Sequence, residues 1–107
     1  MEIDYKDINE HKIVILHGDM DYFSVSELKN ALFKLIHEKT KSIILDLSNV
    51  EYIDSSGIGL LVNANKVMSS YNGRIGLLNI PSDVLHLLKL STIDTIISIY
   101  KSEKDIT

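Results

Sequence analysis

A chain of 107 residues is one domain's worth, and residues 1–107 are read as a single domain with one core. Hydrophobic residues at 45% and charged residues at 24% are ordinary globular proportions; the net charge of −4, with 11 scattered Lys and Arg, argues against nucleic acid or an anionic membrane as the direct partner. Cysteine is absent, which excludes disulfides and thiolate sites; Met1-Glu2-Ile3-Asp4 does not open a signal peptide, no apolar run approaches the roughly 20 residues of a membrane span, and the chain reads as cytoplasmic.

In chain order, Glu2–Asp7 is a strand candidate, Ile8–His11 a turn, and Lys12–Leu16 a β-branched strand, so that the two strands pair as a hairpin. Gly18-Asp19-Met20-Asp21 breaks the pattern. Ser24 with Glu27 has the spacing of a capping box, followed by Leu28, Ala31, Leu32, Leu35 and Ile36 at helical spacing. Ser42–Leu47 is a nearly continuous apolar run, as expected of a central strand covered on both faces. Ser48–Ser56 leads to a second helix. One of its stripes holds Ile58, Leu61, Val62, Asn65 and Met68, with Leu60, Ala64, Val67 and Tyr71 beside it; Asn72-Gly73 ends it, with Gly73 supplying the positive φ. Arg74–Ile80 is a strand, Pro81 starts a helix with Val84, Leu85, Leu87 and Leu88 apolar, and Thr95–Tyr100 is a last strand before a polar tail from Lys101. The order β-β-α-β-α-β-α-β implies an α/β fold, mostly parallel, with helices packed on the sheet.

The informative stretch is Asp54-Ser55-Ser56-Gly57-Ile58-Gly59, which follows the central strand and opens a helix. Function in open α/β sheets gathers beyond the strand C-termini. A helix N-terminus carries unpaired N–H groups and a partial positive charge, a setting that tolerates a phosphate on a serine. The same residue types also cap helices on ordinary grounds, so the motif by itself leaves a plain cap and a phosphoacceptor both open. Neither the Walker spacing nor the dinucleotide fingerprint occurs. Ser55 lacks the Gly-x-Ser-x-Gly elbow of a nucleophile, and His11, His17, His37 and His86 stand at no metal-ligand spacing. The hairpin start and the short length also speak against a response-regulator receiver.

Four segments together resemble the STAS family, whose small single-domain members are anti-sigma factor antagonists. They are Gly18-Asp19-Met20-Asp21, the helix opening Ser24 to Leu28, the block from Ile43 through Asp54-Ser55-Ser56-Gly57-Ile58-Gly59 to Leu61, and Leu87 to Ile96. The block around Ser55 is the specific one. The resemblance implies a mixed four- to five-stranded sheet with helices mainly on one face, phosphorylation at Ser55, and a partner surface of Asp19, Asp21, Asp54, Ser56, Gly57 and Ile58, with Tyr22 and Phe23 as nearby apolar residues. The implied partners are an anti-sigma factor that is also a serine kinase and a PPM-type serine phosphatase, with no cofactor, no metal and no catalysis by this chain. The unphosphorylated form would bind the anti-sigma factor and release a sigma factor. The alternative is a non-enzymatic STAS scaffold or regulatory subunit of a stress-sensing or lipid-transport complex, in which Ser55 is only a cap. One departure stands out: Ser91-Thr92-Ile93 occupies the place where many members have Thr-Gly-Leu.

Overall fold

The β-branched run beginning at Lys12 forms a strand from His11 to His17 (β2) in the computed structural model, which describes residues 1–107. Glu2–Ile8 (β1) lies antiparallel beside it, with Ile8 opposite His11 and only Asn9 and Glu10 between them. Asn9 turns the chain at φ 54°, a region that asparagine tolerates better than most residues. Then come α1 (Val25–His37), β3 (Ser42–Asn49), α2 (Ser55–Ser69), β4 (Arg74–Leu78), α3 (Ser82–Leu90) and β5 (Ser98–Tyr100). The five strands lie in the order β1-β2-β3-β4-β5; only the β1–β2 pair is antiparallel. This is the α/β architecture that the alternation of elements implied, with the mixed sheet that the family resemblance implied.

The pleat sends successive side chains to opposite faces. Val14, Leu16, Ile43, Leu45, Leu47, Ile75 and Leu77 face the helices, and all three helices contribute to that one core, among them Leu28 and Leu32 of α1, Leu61 and Met68 of α2, and Val84 and Leu88 of α3. Ile13, Ile44 and Leu78 point the other way. β3 is therefore buried on both faces, as its apolar run implied. The cover on the second face is not a helix layer but the end of the chain. The expected polar tail folds back there through a 3₁₀ turn, Glu103–Asp105, capped by Ser102 and Asp105. Lys6 Nζ donates to Glu103 at 2.7 Å, and Ile106, only 6% exposed, seals the small cluster.

Four local expectations are corrected. The capping box at Ser24 does not form: Ser24 is already in the helical region (φ −105°, ψ −12°), and Asp21 Oδ1 accepts from Phe23 N and Ser24 N, each at 3.0 Å. The carboxylate of Glu27 instead accepts from the Met1 ammonium at 3.1 Å. At the end of α2 the left-handed residue is Asn72 (φ 64°), not Gly73; Gly73 answers a need for space, since a Cβ there would lie 2.8 Å from the Tyr71 ring. Val62 is 41% exposed and outside the core stripe of α2, which runs through Leu60, Leu61, Ala64 and Met68.

The fourth correction concerns the last strand, which begins at Ser98. Ile93–Thr95 is a 3₁₀ turn that buries Ile93 and leaves Ile96 exposed. Thr92 enters that turn at φ 61°, a conformation that is costly for a β-branched residue. It stands where the family pattern has glycine. The left-handed region costs a non-glycine residue about 1–2 kcal/mol, offset by about 0.5–1 kcal/mol for glycine's freedom in the unfolded chain. Thr92→Gly is thus expected to stabilise the fold by about 0.5–1 kcal/mol, read as a rise of a few degrees in a thermal melt; an unchanged or lower Tm would contradict the strain assignment.

Candidate functional site

Between the end of β3 and the start of α2 the chain runs Val50-Glu51-Tyr52-Ile53-Asp54, with too few backbone partners of its own. The segment joining β2 to α1 supplies them. Met20 N donates to Tyr52 O at 3.0 Å, Asp54 N donates to Met20 O at 3.2 Å, and Met20 and Ile53 form a parallel bridge. Side chains complete the lacing. Asp19 Oδ1 accepts from Glu51 N at 3.0 Å and from Tyr52 N at 3.1 Å. Asp54 Oδ2 accepts from Tyr22 N at 3.0 Å, while its Oδ1 accepts from Ser56 N at 2.8 Å and Gly57 N at 3.3 Å. Each aspartate satisfies backbone donors that a loop or a helix end would otherwise leave free. Asp54 does so for both loops at once and is the N-cap of α2.

Burial is the largest single influence on the Asp54 carboxyl and pushes its pKa up. The backbone N–H groups of Tyr22, Ser56 and Gly57, with the Ser56 hydroxyl, together outweigh it and hold the pKa below the usual 3.8. A depressed folded-state pKa stabilises at pH values above the unfolded value and loses that contribution as pH falls through the folded one. Asp54→Asn is therefore expected to be less stable than the native chain at neutral pH, with the gap closing below about pH 4, the ordinary carboxyl range. Urea midpoints of both proteins between pH 7 and pH 3 check this; a gap independent of pH would contradict it.

Ser55 is the first residue of α2 and is exposed; Ser56 and Ile58 are partly buried. The first free donors of the helix are met by Asp54, not by the Ser55 hydroxyl. Gly57 is buried under the other loop: a Cβ there would stand 2.4 Å from Met20 O. It is therefore a packing residue, which corrects its expected place on a partner surface. Tyr22 and Phe23 are 72% and 86% exposed and meet edge to face, ring centroids 5.6 Å apart. Tyr52, passed over in the sequence because its loop has no periodicity, is 51% exposed. Of the seven large apolar side chains left exposed, Tyr22, Phe23, Tyr52 and Val62 belong to the two loops and to α2. An aromatic pair exposed side by side, as Tyr22 and Phe23 are, marks an interaction surface more often than an isolated exposed leucine does. The structure thus joins Asp19, Asp21, Asp54, Ser55, Ser56 and Ile58 at one end of the sheet. His11 is held at the opposite end of β2, by Ser42 Oγ at 2.6 Å; His17, at the loop end of β2, pairs with Asp4 Oδ2 at 2.9 Å and lies 3.3 Å from Asn49 Nδ2. No helix is long and apolar enough to cross a membrane.

Comparison with known proteins agrees with this architecture. The family model described as "STAS domain" matches residues 2–106. An anti-sigma-B factor antagonist of Staphylococcus aureus is 28% identical over 74 residues, which cover 69% of this chain and 68% of that protein; its Staphylococcus epidermidis counterpart matches to the same extent. The crystal structure of a Thermotoga maritima protein assigned as an anti-sigma factor antagonist superposes with a TM-score of 0.89 at 28% identity, covering 96% of this chain and 89% of that one. The anti-sigma factor antagonist SpoIIAA in its unphosphorylated form shares the fold at 20% identity, with a TM-score of 0.80 over 98% of this chain and 93% of its own. With the family match running almost from end to end and the same fold in these structures, this chain belongs to the STAS domain family.

Proposed function

We propose that this chain is an anti-sigma factor antagonist: unmodified, it binds an anti-sigma factor that is also a serine kinase, a sigma factor is released, and phosphorylation of Ser55 ends the binding. The observation that carries this reading is the exposed hydroxyl of Ser55, at the first position of α2 and next to the Asp54 cap, beside an exposed aromatic pair. The anti-sigma-B factor antagonists among its relatives support the same role. In the modification step Ser55 Oγ forms a bond to the terminal phosphorus of the kinase's ATP. The bond to ADP breaks, and the hydroxyl proton passes to a base of the kinase. A PPM-type serine phosphatase reverses the state by hydrolysis.

The switch needs no rearrangement of this protein. A phosphoserine adds about −1.5 to −2 charges at neutral pH. The Ser56 and Gly57 N–H groups, which would ordinarily receive it, already serve the Asp54 carboxylate. The remaining helix-end field is worth only about 0.3–1 kcal/mol at an exposed position. The added charge thus stays on the surface that a partner must cover, next to Asp54. Partner binding suffers more than the stability of the free protein. Incubation with the candidate anti-sigma kinases of its own genome and Mg-ATP, followed by peptide mass spectrometry, is expected to place one phosphate on Ser55 and none on the Ser55→Ala protein. Absence of label, or label elsewhere, would defeat the proposal and favour the scaffold role.

A further inference from the structure

Gly59 lies one helical turn below Ser55 on the outward face of α2 and is exposed. Glycine weakens a helix interior relative to alanine, so a glycine there needs a reason. The three usual reasons are missing at this position. Its φ is not in the left-handed region, it ends no helix, and a Cβ built on it would meet no atom within 4 Å. The contrast with Gly57, two residues earlier, is direct: there a Cβ would strike Met20 O at 2.4 Å. The fold requires glycine at position 57 and is indifferent to it at position 59.

What remains is a demand from outside the chain. We infer that Gly59 is a specificity-determining contact: it leaves the surface of α2 low beside Ser55, so that the backbone of the docked anti-sigma factor lies directly against the helix there. This inference rests on the proposed antagonist role. The surroundings fit such an occupant. Ser55 stands one turn above and exposed Val62 and Asn63 one turn below. The Asp19 and Asp54 carboxylates and Glu51 belong to the loops at the same end of the molecule, and a partner with a basic rim complements them. A Cβ at position 59 would hold that backbone off, loosen the seal around the apolar contacts and misplace Ser55 for phosphoryl transfer.

The test is a series at one position, Gly59→Ala and Gly59→Leu, with the kinase that phosphorylates the wild-type chain as the probe. Both variants are expected to melt at or above the wild-type temperature, Gly59→Ala by about 2–6 °C. Affinity for the kinase is expected to fall about tenfold for alanine and about a hundredfold for leucine, with the rate of Ser55 labelling falling in parallel. Wild-type affinity in both variants would overturn the inference while leaving the antagonist reading intact. A lowered melting temperature in Gly59→Ala would also overturn it, by showing that the fold itself wants glycine there. If the wild-type chain is neither bound nor labelled by any such kinase, the antagonist reading fails and this inference fails with it.

Discussion

A Ser55→Asp protein is expected to fold as well as the native chain and to bind the anti-sigma factor at least about a hundredfold more weakly. The two halves of that expectation have different physical origins. In the free protein Ser55 is exposed at the start of α2, where an added carboxylate meets water on one side and the positive end of the helix on the other. Exposed substitutions of this sort change stability by about 0.5 kcal/mol or less. In the proposed complex the same carboxylate would be enclosed next to Asp54, whose charge is already committed to Tyr22 N, Ser56 N and Gly57 N. Like charges brought together at an interface cost several kcal/mol, and about 3 kcal/mol corresponds to a hundredfold in Kd. Titration calorimetry of the two proteins against the kinase measures the ratio directly, and thermal melts measure the stability. Equal affinities would remove charge as the switch. A collapsed melting temperature would show that the serine is a structural cap after all.

The largest effect on stability is expected from Gly57→Ala. An ideal Cβ at this position lies 2.4 Å from Met20 O, 2.9 Å from Met20 Cβ and 3.0 Å from Ile53 Cγ1. None of these can swing aside. Met20 is fully buried, its carbonyl accepts from Asp54 N, and its N–H donates to Tyr52 O. To admit one methyl group the β2–α1 loop must lift from the start of α2. Overpacking of a buried site costs about 1–3 kcal/mol, and each disturbed hydrogen bond adds about 1 kcal/mol. Alanine's better helix propensity returns about 1 kcal/mol. The net expectation is a loss of about 2–3 kcal/mol, which in a domain of this size lowers Tm by roughly 10–20 °C. Because Tyr22 hangs from Asp54, kinase binding should weaken too, through displacement of the aromatic pair. A melt unchanged from wild type would mean that the two loops are not clamped as the geometry shows. Gly57→Ala and Gly59→Ala are expected to shift Tm in opposite directions, although both put the same methyl group on one helix.

Local physics carried a large part of this structure in readable form. The alternation of β-branched runs with helical stripes announced five strands, three helices and their order, because helix and strand periods are written within a few residues of one another. Asp54-Ser55-Ser56-Gly57 announced the start of α2, because a cap is chemistry between neighbours. The partners that decided the rest lie far apart in the chain. Ser24 and Glu27 had the spacing of a cap, yet Asp21 took that role, since Ser24 had already joined the turn. The last strand shortened because Ile96 N and Ile97 N both donate back to Ile93 O, at 3.0 and 3.1 Å, closing a turn that seats Ile93 and Ile97 in the helix-side core. Ile106, in a segment that reads as polar, turned out to close the second face of the sheet. Above all, the bonds from Asp19 to Glu51 and Tyr52 and from Tyr22 to Asp54 span more than thirty residues, and no pattern of neighbours encodes them. The sequence alone determined which elements form and where the serine sits among them; only tertiary packing decided which carboxylates are occupied, which glycine has no room and which has room to spare, because those are properties of atoms that meet only after the chain has closed on itself.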